Sequence, residues 1–145
     1  HLDTLYHPAT DRVVFCMIGA NNKKQPDGMA QLAKDLDNLC QKVTADGNLL
    51  ILMTPNPVTV ANDAKENRFF PQSEVAAVIR AAAQRWEAQV FFIDHFARMQ
   101  ADCQQQGRTM EEYLQVGAGP ENDGQHPGDQ VYRFYFESIC QALNL

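Results

Sequence analysis

The chain has 145 residues and a formal charge of −6 from 12 basic and 18 acidic side chains, and 45% of its residues are hydrophobic. That composition suits one soluble globular domain over residues 1–145, with a core large enough to fold. The acidic balance and the lack of a basic patch interleaved with aromatics argue against nucleic acid or anionic lipid as a partner, and no apolar stretch approaches membrane-spanning length.

Residues 13–18 form a continuous apolar run ending at Gly19, the pattern of a strand buried on both faces. From Met29 the period lengthens. Met29, Leu32, Ala33, Leu36, Leu39, Cys40 and Val43 mark one face of a helix that should end near Asp46 and Gly47. Residues 49–53 read as a second buried strand, which Pro55 and Pro57 break, opening a long polar loop to about Phe70. Ser73 is placed to cap the next helix, whose stripe is Val75, Val78, Ile79, Ala82 and Trp86. Residues 90–93 give the third strand, ending at Asp94 and His95. Thr109 and Glu112 fit a capping box for a short helix around 110–115. The final helix is expected from Pro127, with Val131, Tyr135, Ile139 and Leu143 on one line and Tyr132, Phe136 and Cys140 beside it.

Strand and helix alternate three times, which predicts an α/β layer sandwich with a parallel sheet. Three strands make a small sheet, and residues 13–18 read as a centre rather than an edge, so one or more strands are expected before residue 1. A start at His1 rather than Met fits processing, truncation or an ordered fragment. Cys16, Cys40, Cys103 and Cys140 show no metal-like spacing and read as free buried thiols, although an even count leaves room for a bridge.

Open α/β sheets bind ligands beyond the carboxyl ends of their strands. Two segments are placed for that. Gly19, Ala20, Asn21 and Asn22 follow the first strand. There Gly19 permits a tight exit, Asn21 can offer an amide N–H to a developing oxyanion, and Asn22 can hold the loop. Gly and Asn favour turns without any function, so this segment alone is a weak signal. Asp123, Gly124, Gln125, His126 and Pro127 precede the last helix. An imidazole such as His126 can take a hydroxyl proton and return it to a leaving group, while Asp123 can hold the other ring nitrogen and favour the imidazolium. The bland reading gives Asp123 and Gly124 a turn and His126 a helix entry.

Together, in this order and placement, these two segments resemble two of the conserved blocks of the SGNH (GDSL-like) hydrolases. The strand and helix order agrees over most of the chain. The resemblance implies a flavodoxin-like, three-layer α/β/α sandwich that cleaves esters, often acetyl groups on carbohydrates or acyl groups on lipids. It implies that Asn21 is an oxyanion-hole donor, Asp123 the orienting acid and His126 the catalytic base, with Gly19 and Asn22 shaping the loop. No metal or organic cofactor is implied. Asn22 stands where the family usually has Asp. The Gly-Asp-Ser nucleophile block and the following glycine block are absent, and their loss would also remove the first strands. Ser73 reads as a helix cap and Ser138 lies too far along the last helix to replace that serine. The expected partners are therefore a preceding segment of the same parent protein, or a companion chain, carrying the serine, and an acylated carbohydrate or other small ester. The isolated chain is expected to be inactive. An extracellular setting, or a place in a larger secreted or surface assembly, is compatible with this reading.

The rival class is a noncatalytic binding or structural module that keeps an esterase-like shell. A phosphate- or flavin-binding protein is more distant, since no Gly-rich phosphate loop follows residues 13–18 and no clear buried strand precedes Gly117, Ala118, Gly119 and Pro120. Asp94 and His95 follow a strand and could contact substrate, with a surface loop or a satisfied histidine an equally good reading. His1, Asp3 and His7 lack a convincing fourth metal ligand. Trp86 and the aromatic stripe of the last helix read as core, and the loop from Pro55 to Phe70 as a pocket rim.

Overall fold

The computed structural model describes residues 12–116 and 123–145. A parallel sheet of three strands, in the order β1 (Val13–Met17), β2 (Leu49–Met53) and β3 (Val90–Ile93), carries helices on both faces. It is a mixed α/β arrangement of generic kind. Register is simple: Phe15 sits opposite Ile51, and Ile51 opposite Phe91.

Helix α1 (Gly28–Ala45) buries Leu32, Leu36, Leu39, Cys40 and Val43. These pack with Val75, Ile79, Ala82 and Ala83 of α3 (Gln72–Arg85) over Leu50, Leu52 and Val90 of the sheet. Spacings of three and four residues on both helices produce this layer, because they keep one apolar stripe facing the strands. On the opposite face Ile51, Met53 and Ile93 meet Ile139, Ala142 and Leu143 of α5 (Asp129–Leu143). A third cluster, Met99, Cys103, Tyr113, Leu114, Val131 and Tyr135, seats α4 (His95–Gln106) beside α5.

Several expectations are corrected. The expected burial of β1 on both faces is not seen: among the described residues it pairs only with β2, and its residues alternate between exposed and half-buried. The apolar run is real, but Val13, Phe15 and Met17 remain about half exposed because α5 packs on that face over β2 and β3. Ser73 does not cap α3. The helix begins at Gln72 after Pro71, and the Asp63 carboxylate accepts the Gln72 N–H at 3.1 Å, taking the role given to Ser73. The loop after β2 contains a short helix, α2 (Val60–Asp63), capped by the Thr59 hydroxyl.

Helix α4 went unread because its buried residues, His95, Phe96, Met99 and Cys103, are diluted by glutamines and exposed polar positions. Its signals are local. The Asp94 carboxylate accepts the Ala97 N–H at 3.0 Å, and Gly107, with φ of 64°, closes the other end. The Thr109–Glu112 capping box forms, on a 3-10 turn, Met110–Glu112, rather than on a longer helix. The last helix starts at Asp129, not at Pro127. The preceding residues form β5 (Asp123–Pro127), antiparallel to β4 (Leu114–Val116). On α5, Val131 and Tyr135 are buried, whereas Tyr132 and Phe136 face outward.

Candidate active site

Gly19 leaves β1 with φ of 101°, and a Cβ there would come within 2.9 Å of Leu32 Cδ2 and 3.0 Å of Val75 Cγ1. Both the backbone conformation and the close helix packing call for glycine. Asn22 then closes the loop: its N–H donates to the Gly19 carbonyl at 2.9 Å and its Nδ2 to the Gly28 carbonyl at 3.2 Å. Asn21 heads the short turn Asn22–Lys24. It is exposed, and its side chain makes no hydrogen bond among the described residues. A primary amide in that state is available to an incoming oxygen.

In β5 the acid and the imidazole meet. Asp123 Oδ1 accepts the Gln125 N–H at 2.9 Å and the His126 N–H at 3.1 Å, and it lies 3.0 Å from His126 Nδ1. These bonds brace the turn at Gly124, while pairing with β4 keeps the segment to Pro127 in a strand, and α5 begins at Asp129. The His126 side chain is 59% exposed, and its Nε2 has no partner among the described residues. Partial burial works to raise the Asp123 carboxyl. The N–H groups of His126 and Gln125, with the His126 ring, outweigh it and hold the carboxyl below its ordinary range.

The three carbonyls that carry this bracket are all engaged by the segment after β2. Asn62 Nδ2 donates to the Asp123 carbonyl at 2.8 Å, the Thr59 N–H to that of Gly124 at 2.9 Å, and Asn56 Nδ2 to that of Gln125 at 3.1 Å. Asn56 is in turn held by Tyr135 of α5, whose hydroxyl donates to Asn56 Oδ1 at 2.7 Å. Lys23, fully buried just beyond Asn21, donates to Asn62 Oδ1 at 3.1 Å and pairs with Asp63 at 3.0 Å. Burial pulls the Lys23 ammonium below its ordinary pKa, against the opposing pull of Asp63.

Thus Asp123 and His126 stand in direct contact. Asn21 makes no hydrogen bond to either, and it is linked to them through Lys23 and Asn62. Asn56, Thr59, Asn62 and Lys23 were not singled out from the sequence. A trace existed for Thr59 and Asn62, which have the spacing of a helix cap, but nothing marked Lys23 as buried.

The other candidates fall elsewhere. Ser138 is buried, with its hydroxyl accepting from Arg98 Nη1 at 2.6 Å, and Ser73 lies in the first turn of α3. Asp94 caps α4 while paired with Arg80 and Thr54. His95 is wholly buried beside Tyr135, with ring centroids 4.7 Å apart and no hydrogen bond to either nitrogen among the described residues. It is not a surface histidine. Burial, assisted by Arg98, lowers its pKa to about 4. Among the described residues all four cysteines are free. Burial raises Cys16 and Cys40 to about 11, so neither is a ready nucleophile at neutral pH. His1, Asp3 and His7, and residues 117–120, lie outside the described residues.

Among the described residues no group of three His, Cys, Asp or Glu side chains could hold a metal ion, and no helix is long and apolar enough to cross a membrane. No family model matches the chain, and neither the curated proteins nor the solved structures give a significant match. What stands is an α/β domain with a small parallel sheet flanked by helices, and a half-buried aspartate paired with an exposed imidazole beside the loops that follow its strands.

Proposed function

We propose that this chain supplies the base and oxyanion-binding part of a serine ester hydrolase of the SGNH (GDSL-like) family, in a flavodoxin-like sandwich completed by further strands. The observation that carries the reading is the 3.0 Å contact of Asp123 with His126 Nδ1, on an exposed ring whose Nε2 is unpartnered among the described residues. A serine hydroxyl at Nε2 attacks the ester carbonyl while His126 takes its proton. Asp123 fixes the tautomer and favours the imidazolium. The Asn21 amide donates to the tetrahedral oxyanion. Collapse breaks the acyl C–O bond as His126 returns the proton to the leaving alcohol, and water then resolves the acyl-enzyme by the same route. This chemistry calls for no cofactor.

The serine belongs to a preceding segment of the parent protein or to a companion chain. The edge of β1, unpaired among the described residues, supports this reading, because a parallel strand added there would end beside the loop of Gly19 and Asn21. Val13, Phe15 and Met17 offer that added unit an apolar face. Small acyl esters, above all acetyl groups on carbohydrate, are the proposed substrates, by resemblance alone.

The test uses the native material. It is purified through this chain, treated with a fluorophosphonate probe, and assayed with p-nitrophenyl acetate and an acetylated oligosaccharide. The expected result is a labelled serine outside residues 1–145 and turnover that His126→Ala abolishes. Labelling and turnover indifferent to His126→Ala would sink the reading. A noncatalytic module is the second reading, favoured by one observation: among the described residues neither serine of the chain is near His126 in a hydrogen bond.

A further inference from the structure

We propose that Asn62, aimed by Lys23, is a positioning residue for the Asp123–His126 pair and ties that pair to the Asn21 loop. The catalytic meaning of this role rests on the esterase reading; the geometry does not. Lys23 and Asn62 are both fully buried, 39 residues apart in sequence, and join two loops at the same end of the sheet. Lys23 follows Asn21 by two residues in the turn Asn22–Lys24, and its own carbonyl accepts the Phe69 N–H at 2.8 Å.

A buried ammonium is costly unless paired, and a stability role alone would be served as well by an apolar side chain. Here the charge does something an apolar group cannot. An ammonium only donates and a backbone carbonyl only accepts, so Asn62 has one workable orientation: Oδ1 toward Lys23 and Nδ2 toward the Asp123 carbonyl. The amide therefore grips the main chain of the residue whose carboxylate holds the His126 ring. Asp63, the other partner of Lys23, is fixed by the first turn of α3 through the Gln72 N–H. On the exposed side Lys65 Nζ adds a second donor to the Asp123 carbonyl at 3.2 Å. Without Asn62 the Asp123 carbonyl keeps Lys65 on the exposed side and the pairing with β4, a looser hold that lets the carboxylate drift from the three donors of Gln125 and His126.

The role is tested in the full protein labelled at aspartate and histidine. The Asp123 carboxyl titration is followed by 13C NMR and the His126 tautomer by long-range 1H–15N correlation. In the unmodified protein Asp123 is expected to titrate below the ordinary carboxylate range and His126 to carry its proton on Nδ1. Asn62→Ala and Lys23→Met should both return Asp123 toward the ordinary range and mix the two tautomers. If a single variant does not fold, Lys23→Met combined with Asn62→Leu replaces the polar pair by apolar groups and gives the same readout. Folded variants with unchanged Asp123 and His126 signals overturn the proposal. Neither readout needs an ester or a serine, so the esterase reading can fail with these shifts intact, and the reverse holds.

Discussion

Gly124 lies against Thr59 so closely that a Cβ on Gly124 would sit 2.3 Å from Thr59 Oγ1. The contact is kept by the Thr59 N–H donating to the Gly124 carbonyl, and Gly124 has φ of 71°. The residue between Asp123 and the imidazole is thus fixed by the segment after β2 and not only by its own turn. The Thr59 hydroxyl caps α2, so it is not free to swing away.

Gly124→Ala should therefore destabilise the protein by about 1–3 kcal/mol, from left-handed backbone strain with the clash against Thr59. Chemical denaturation measures this. The companion Thr59→Gly/Gly124→Ala variant, which removes both Oγ1 and Cγ2 and costs only a few tenths of a kcal/mol in the α2 cap, should recover part of the loss.

His126→Ala should leave stability within about 0.5 kcal/mol of the parent, since the ring is largely exposed and makes one side-chain contact. In the native assembly it should abolish acyl transfer, and Asp123→Asn should slow it by about 10³-fold or more through the wrong tautomer. Thermal melts beside turnover of p-nitrophenyl acetate separate the two effects. A large stability loss with His126→Ala would mean that the pair is structural.

Stability should also report His95. Its folded pKa, about 4, is depressed below the ordinary value, so the unfolded chain takes up the proton first. The contribution is fully present above about pH 6.5, falls as pH drops towards 4, and amounts to a loss of about 3 kcal/mol at the acid end. Asp94 and Asp123 are held low by their partners, against their own partial burial. Their contributions are lost only as pH falls further, through their folded pKa values. His95→Phe should flatten the pH 6.5-to-4 slope in urea titrations and cost little at pH 7, because it removes two unpaired ring nitrogens.

Phe15→Lys tests the edge of the sheet. Phe15 is 48% exposed on β1, so the chain alone should lose under about 1 kcal/mol. On the proposed esterase reading, the substitution should release the serine-bearing unit proposed to sit on β1 and end turnover in the native material. Sedimentation velocity and pull-down assays check the release. Unchanged composition of the assembly would place the added segment elsewhere.

The order of strands and long helices could be read from the chain because each element carries its own period. Leu32, Leu36 and Val43 repeat at helical spacing, and residues 49–53 are apolar without a break. Such patterns record burial directly. Helix α4 escaped for the opposite reason: its stripe is narrow, and its limits are set by one carboxylate, Asp94, and one left-handed glycine, Gly107. Likewise Pro127 looked like a helix start, but its pairing with Leu114 across β4 and β5 keeps it extended.

By itself the sequence determined the alternating α/β plan, the pairing of Asp123 with His126 three residues away, and the glycine exit at Gly19. All three are consequences of local spacing. Only the tertiary structure decided that Lys23 is buried, that Asn56, Thr59 and Asn62 take the three carbonyls behind the imidazole, and that His95 lies buried against Tyr135. Those facts depend on which distant segments share one small volume, and there a polar side chain is shaped by the partner that replaces its water rather than by its neighbours in the chain.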